Sequence, residues 1–131
     1  MKTCNFDPLI DHTLIENKIM PDLQDIINEL KKFRDERDWS QFHDSKNLAT
    51  AISIEAAELN EIFLWKTIKE SEQVNIDRIK EELADILAYS FLLAEKHNLD
   101  VLEIIQDKIK INSEKYPIEK AKGSAKKYNQ L

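Results

Sequence analysis

The chain has 131 residues, 42% of them hydrophobic, and a formal net charge of −6. This length and composition predict one domain with a hydrophobic core. The acidic balance argues against binding a nucleic acid polymer, because phosphate contacts need a basic surface. One cysteine allows no intrachain disulfide, and no apolar run is long enough to span a membrane. We therefore expect a cytoplasmic protein with no membrane partner.

Apolar residues at helical spacing predict four helices, at about residues 22–37, 46–68, 75–96 and 100–115. Asp22, Asp44 or Ser45, and Asp100 stand where N-caps are expected, and Pro117 ends the fourth helix. Strand-like alternation is absent. We predict an all-α antiparallel four-helix bundle, divided into an N-terminal arm (1–20), a helical catalytic domain (21–116) and a basic C-terminal tail (117–131).

Two acidic pairs stand three residues apart on the second and third predicted helices: Glu55 with Glu58, and Glu82 with Asp85. Residues at i and i+3 share one face of a helix. A helical wheel places Glu55 inside its helix's apolar stripe. Carboxylates rarely lie among core residues unless they are paired or bind a metal, because their desolvation is costly. The spacing therefore favours a divalent cation site over the alternative, a charged bundle surface.

Carboxylate oxygens suit Mg²⁺, with Mn²⁺ as a possible substitute, and Mg²⁺ in proteins is usually shared with phosphates. Di-iron bundles pair glutamates with a Glu-x-x-His motif. None of His12, His43 and His97 follows a glutamate at that spacing, which argues strongly against a ferritin-like oxidase. The four carboxylates are thus predicted to bind Mg²⁺ and to be catalytic.

Aromatic residues are concentrated around the second helix. Trp39, Phe42 and His43 lie in the break before it, and Trp65 lies near its predicted end. Exposed aromatic faces there could stack on a nucleotide base. Alternatively, Trp39 and Phe42 could close the end of the bundle, and His43 could be an ordinary loop histidine rather than a donor to phosphate or base.

Two further sets of polar residues are open to two interpretations. Tyr89 follows Asp85 by one helical turn, so its hydroxyl could donate to a carboxylate or a ligand, or serve as the polar tip of a bundle tyrosine. Lysines including Lys46, Lys108 and Lys110 could contact a triphosphate or could simply be solvated.

In these residues the sequence resembles the MazG-like nucleoside triphosphate pyrophosphohydrolases, and more closely their all-α dCTP pyrophosphatase branch. The resemblance covers about residues 22–131. It rests on Arg37-Asp38-Trp39-Ser40-Gln41-Phe42-His43, on Glu55-x-x-Glu58 with Trp65-Lys66, on Glu81-Glu82-Leu83-x-Asp85-Ile86-Leu87-x-Tyr89, on Lys108, Asn112 and Tyr116-Pro117, and on Gly123-Ser124-Ala125 with Lys127-Tyr128.

The resemblance implies Mg²⁺-dependent hydrolysis of a nucleoside triphosphate, with dCTP or a modified dCTP favoured, to the monophosphate and pyrophosphate. It implies that Trp39, His43 and Trp65 enclose base and sugar and that Tyr89 contacts the substrate. Lys108, Asn112 and Tyr116 match positions near the phosphates. Family members form dimers or dimers of dimers, so a homodimer or homotetramer is expected.

One position departs from this pattern. Relatives in the dCTP branch can carry a histidine nine residues before the tryptophan, and this position is Leu30 here, so one polar substrate contact is absent.

The alternative function, from a different class, is a non-catalytic helical module for nucleotide binding or protein assembly. The four carboxylates of the two acidic pairs distinguish the enzyme from the non-catalytic module, because an interaction module has no reason to bury them.

Overall fold

The computed structural model describes residues 21–131, which form six α-helices, two short 3-10 helices and no β-strand. The α-helices are α1 (Leu23–Asp35), α2 (Ser45–Glu61), α3 (Ile68–Ser71), α4 (Ile76–Lys96), α5 (Val101–Lys115) and α6 (Ile118–Ala121). The 3-10 helices are Trp39–Phe42 and Tyr128–Gln130. The all-α prediction is confirmed for these residues, and the predicted arm at 1–20 lies outside them.

The predicted N-caps explain where the long helices begin. Asp22 forms a reciprocal capping box with Asp25, in which the Asp25 backbone amide donates to the Asp22 side chain at 2.8 Å. Asp44, rather than Ser45, caps α2, and Asp100 caps α5. Each side-chain oxygen accepts a hydrogen bond from a first-turn amide that has no partner within the helix, which fixes the helix start.

The second helix is shorter than the sequence predicted. It ends at Glu61 instead of Ile68, and Trp65 adopts a positive φ of 62° that breaks helical geometry. Thr67 then caps the one-turn helix α3 through a capping box with Glu70. The apolar residues after Glu61 continued the helical pattern, but the capping box starts a new helix at Ile68, where the second helix was predicted to end.

The core forms where α2 packs antiparallel against α4 and α1 lies across α4. The hydroxyl of Ser45, at the start of α2, lies 2.8 Å from Nε2 of His97, at the end of α4. This hydrogen bond joins opposite ends of the two helices and fixes their antiparallel alignment. Among residues 21–131, the buried apolar residues are Ile27, Leu48, Ile62, Leu92 and Ala94.

Helix α5 forms as predicted, but it does not complete a four-helix bundle within one chain. From Leu102 to Lys115 every residue of α5 is exposed. On α4, the apolar side chain of Leu83 is 44% exposed. None of the described helices is long and apolar enough to cross a membrane.

Candidate metal centre and adjoining pocket

The acidic residues of α2 and α4 converge at the middle of the antiparallel pair. One carboxylate oxygen from each of Glu55, Glu82 and Asp85 lies within 4.8 Å of the other two. Glu58, the fourth residue of the predicted quartet, is exposed and lies outside this group. The structure therefore brings together three of the four predicted ligands on facing helices.

The charges of this cluster oppose one another. Partial burial raises the pKa of Glu55, and the negative charges of Glu58, Asp85 and Glu82 raise it further. In the part of the chain that the structure describes, none of the three clustered carboxylates forms an ion pair with lysine or arginine. Converging hard oxygen donors without a basic partner fit Mg²⁺ or Mn²⁺.

A pocket of about 270 Å³ adjoins the acidic cluster. Its walls come from α1, the 3-10 helix and α4, and they include Trp39, His43 and Tyr89 together with Asp85. One clustered carboxylate is thus part of the pocket wall. A ligand in this pocket can contact aromatic rings at one end while its other end reaches the acidic cluster.

His43 lines this pocket and carries a buried polar atom. Its Nδ1 is buried and has no hydrogen-bond partner among residues 21–131. Burial lowers the pKa of His43, and the positive charge of Arg34 lowers it further, so the imidazole is neutral near pH 7. A buried polar atom without a partner is costly, and a bound ligand would supply the missing hydrogen bond.

Tyr89 links the pocket to the acidic cluster. Its ring meets that of His43 edge-on, with the ring centroids 6.3 Å apart. Partial burial and the charges of Glu55 and Asp85 raise its pKa, so the phenol stays protonated. The hydroxyl is therefore a hydrogen-bond donor beside the carboxylates.

Trp39 is positioned by contacts with α1. Its ring packs edge-on against Phe33 with centroids 5.8 Å apart, and the Arg37 guanidinium lies 3.7 Å from the Phe33 ring centre. Trp39 lines the pocket and remains 43% exposed. Phe42 is 59% exposed and does not line it.

Trp65 does not line the pocket beside the acidic cluster. It is 92% exposed and borders a separate cavity of about 570 Å³ at the connection between α2 and α4, together with Lys66 and Arg78. This cavity shares no lining residue with the pocket beside the acidic cluster. A single chain therefore does not bring Trp65 to that pocket.

The predicted phosphate contacts on α5 are also separate from the pocket. Lys108 and Asn112 are exposed on α5, Tyr116 is exposed just after it, and none of the three lines the pocket. The Tyr116 ring instead meets Tyr128 of the C-terminal tail edge-on, with centroids 6.1 Å apart.

Comparison with known proteins identifies the family. The sequence pattern described as the MazG-like family matches residues 50–131, which include all three clustered carboxylates. The chain belongs to the MazG-like family. Human dCTP pyrophosphatase 1 is 37% identical to this MazG-like chain over 116 residues, which span 85% of the chain and 68% of that protein. The Bos taurus protein of the same name is 39% identical over 116 residues, 85% of the chain and 69% of that protein.

A solved structure supports the same relationship. A pyrophosphatase from Archaeoglobus fulgidus matches this MazG-like chain with a TM-score of 0.70 and 36% identity, covering 76% of the chain and 99% of that protein. The MazG-like chain is thus a pyrophosphatase-type enzyme similar to dCTP pyrophosphatase 1. The prediction of an enzyme, rather than a non-catalytic module, is confirmed.

Sequence analysis considered Leu30 as a substrate position but missed Phe33 and Arg34 in the pocket wall of this MazG-like chain. The three residues line the pocket from one face of α1, where they stand at positions i, i+3 and i+4. Their spacing was visible in the sequence. That this face of α1 lies beside Trp39 and Tyr89 depends on how α1 packs against α4, which helical spacing alone does not specify.

Proposed function

We propose that this protein hydrolyses a deoxynucleoside triphosphate, dCTP or a modified dCTP, to the monophosphate and pyrophosphate. The observation that carries the proposal is the convergence of Glu55, Glu82 and Asp85 beside an aromatic pocket, with no ion pair to a lysine or arginine of residues 21–131. Similarity to dCTP pyrophosphatase 1 supports the choice of base. Removing such nucleotides would clean or balance the nucleotide pool.

The acidic cluster is the proposed Mg²⁺ site, with Mn²⁺ as a substitute. Glu55, Glu82 and Asp85 would hold the ion, and Glu58 would join them from the exposed side of α2. When bound, the ion neutralises the phosphate oxygens and the charge that develops during displacement. This role also explains why the fold tolerates three converging carboxylates.

The protein's own groups would guide the reaction. We assign Glu58 to orient a water molecule and accept its proton, because Glu58 is exposed and lies close enough to Glu55 to affect its pKa. The water oxygen bonds to the α-phosphorus as the bond to the β-phosphate oxygen breaks, and pyrophosphate leaves. Tyr89 would donate a hydrogen bond to the substrate near the carboxylates.

The aromatic pocket is the proposed site for base and sugar. Trp39 would stack on the base, and the unpartnered Nδ1 of His43 would form a hydrogen bond with it. Phe42 and Trp65 are proposed substrate contacts only within an assembly, because neither lines this pocket in one chain.

We also propose that the enzyme is a homodimer or homotetramer. Exposed apolar residues on α4 and α5 include Leu83, Leu87, Leu102, Ile105 and Ile109. A surface of this kind commonly marks a protein interface. Lys108, Asn112 and Tyr116 lie on or just after the exposed α5, so a second copy that covers this helix would bring them to a neighbouring chain's phosphate site.

In this proposal residues 21–116 form the catalytic part, and the tail 117–131 supports Tyr116 through the contact of its ring with Tyr128.

The assembly is testable by light scattering coupled to size-exclusion chromatography. The wild type is expected to be a dimer or tetramer, and Leu83→Glu is expected to shift it toward monomer, because a buried unpaired charge disfavours association. Lys80→Glu is the control, since Lys80 is an exposed polar residue on the same helix. A monomeric wild type would overturn this part of the proposal.

The function itself is tested with a panel of nucleoside triphosphates and Mg²⁺, measuring pyrophosphate and phosphate separately. We expect pyrophosphate as the product, with the highest kcat/KM for dCTP or a modified dCTP. Release of phosphate instead, or turnover that EDTA does not abolish, would contradict the proposal.

A further inference from the structure

Arg34 is a charged residue in the wall of the pocket that the proposed function assigns to the base. It lines the pocket with Leu30 and Phe33, and its side chain is only 15% exposed. An arginine on a helix surface normally extends its guanidinium into bulk water, because arginine is rarely buried unless it is paired. The position of Arg34 therefore needs an explanation.

Ion pairs hold this guanidinium in place. Nε of Arg34 donates to the Asp35 carboxylate at 2.7 Å, and Nη1 lies 3.5 Å from a Glu95 oxygen. Glu95 is itself fixed by Lys31 at 2.7 Å. Among residues 21–131, the recorded partners of this guanidinium contact its Nε and Nη1 atoms. The anchoring groups thus fix the side chain, which reduces the entropy lost when a ligand binds.

His43 lies in the same pocket as Arg34, and its Nδ1 is unpartnered within the described residues. The wall that a bound base would meet therefore includes one guanidinium and one imidazole. A guanidinium can only donate hydrogen bonds. It fits a base edge that presents acceptors and is mismatched to an edge that presents an N–H group.

Pyrimidines differ at this edge. Cytosine presents two adjacent acceptors, the carbonyl oxygen O2 and the ring nitrogen N3, whereas uracil and thymine carry a hydrogen on N3. A fixed guanidinium can therefore donate a hydrogen bond to N3 of cytosine. In uracil or thymine the same N–H group would face the N3–H group, so two donors would meet. Discrimination is strong where a polar group in the site would otherwise lose its partner.

We propose that Arg34 is a specificity-determining residue that donates hydrogen bonds to the acceptor edge of cytosine. Asp35, Glu95 and Lys31 position its guanidinium in the pocket wall. This inference deepens the proposed function and rests on its assignment of the pocket to the base.

Equilibrium binding of the product nucleotides dCMP and dUMP tests this inference by calorimetry, because neither needs turnover. The wild type is expected to bind dCMP more tightly than dUMP. Arg34→Gln is expected to weaken dCMP binding roughly 10- to 100-fold while changing dUMP binding by no more than about threefold. The control, Lys32→Gln, removes the same charge from an exposed position on α1 and should leave both affinities unchanged.

Circular dichroism decides whether Arg34→Gln is folded, and Arg34→Lys provides a second variant if it is not. Lysine keeps the charge but lacks the planar fork, so it should restore stability without restoring selectivity. Equal weakening of both nucleotides, retained selectivity in Arg34→Lys, or a wild type without preference for dCMP would overturn the inference. Selective binding without pyrophosphate release from any triphosphate would instead refute the proposed function and leave this inference standing.

Discussion

Glu55→Gln is expected to abolish turnover, lowering kcat/KM by roughly 10²- to 10³-fold or more, while the protein remains folded. Glu55 belongs to the acidic cluster and is the one member that α2 contributes. Glutamine keeps the size and one oxygen of the side chain but removes its charge. Initial rates of pyrophosphate release, with circular dichroism of both proteins, measure the effect.

The control for this substitution is Glu81→Gln, an exposed neighbour of Glu82 outside the cluster, which should retain wild-type rates. Near-wild-type activity of Glu55→Gln would remove Glu55 from the mechanism. Loss of activity in both variants would show that removing any negative charge in this region lowers the rate, and that the effect is not specific to the acidic cluster.

Glu55→Gln should also change how stability depends on pH in EDTA-treated protein. The folded-state pKa of Glu55 is raised above its unfolded value, so its contribution to stability is fully present below about pH 4.3 and is lost as pH rises through the raised pKa. Glutamine shows no such loss. The free energy of unfolding of Glu55→Gln, relative to wild type, should therefore increase between acidic and neutral pH, as measured by urea titration.

Trp39→Ala is expected to raise KM, or the Kd of a product nucleotide, by roughly 5- to 150-fold, because stacking on a base contributes about 1–3 kcal/mol. Trp39 lines the pocket and is supported by Phe33, so its ring is already in position before the substrate binds. We expect a smaller effect on kcat, since Trp39 does not belong to the acidic cluster.

Trp39→Phe separates stacking from a general loss of structure. A phenyl ring restores an aromatic face, so this variant should recover most of the lost affinity. Equal losses in Trp39→Ala and Trp39→Phe would indicate that the ring does not stack on the substrate. Unchanged binding in both would place the base outside this pocket.

The sequence was most informative where one local rule determined the structure. Asp22 and Asp100 were predicted as caps from their residue type and position, and both accept first-turn hydrogen bonds in the structure. Glu55 was recognised because a carboxylate inside an apolar stripe conflicts with the cost of burial. The facing carboxylates of α4 then followed from the same three-residue spacing.

The sequence was least informative where the outcome depended on how helices meet. The apolar pattern continued past Glu61, and it did not show that Trp65 would take a positive φ. Periodicity likewise predicted α5 without showing that its apolar residues would remain exposed in one chain. Arg34 was overlooked because a lone arginine on an amphipathic helix is ordinary until the packing of α1 against α4 places it in a pocket wall.

Cation binding tests most directly whether Glu55, Glu82 and Asp85 form a metal site. A ligand that binds only the folded state stabilises it by about 2.7 kcal/mol at a hundredfold excess over its Kd. Saturating Mg²⁺ or Mn²⁺ should therefore raise the melting temperature by roughly 5–15 °C relative to NaCl of equal ionic strength, and Glu82→Gln should lose most of this shift. An unchanged melting temperature with both cations, or an equal shift in Glu82→Gln, would contradict the account.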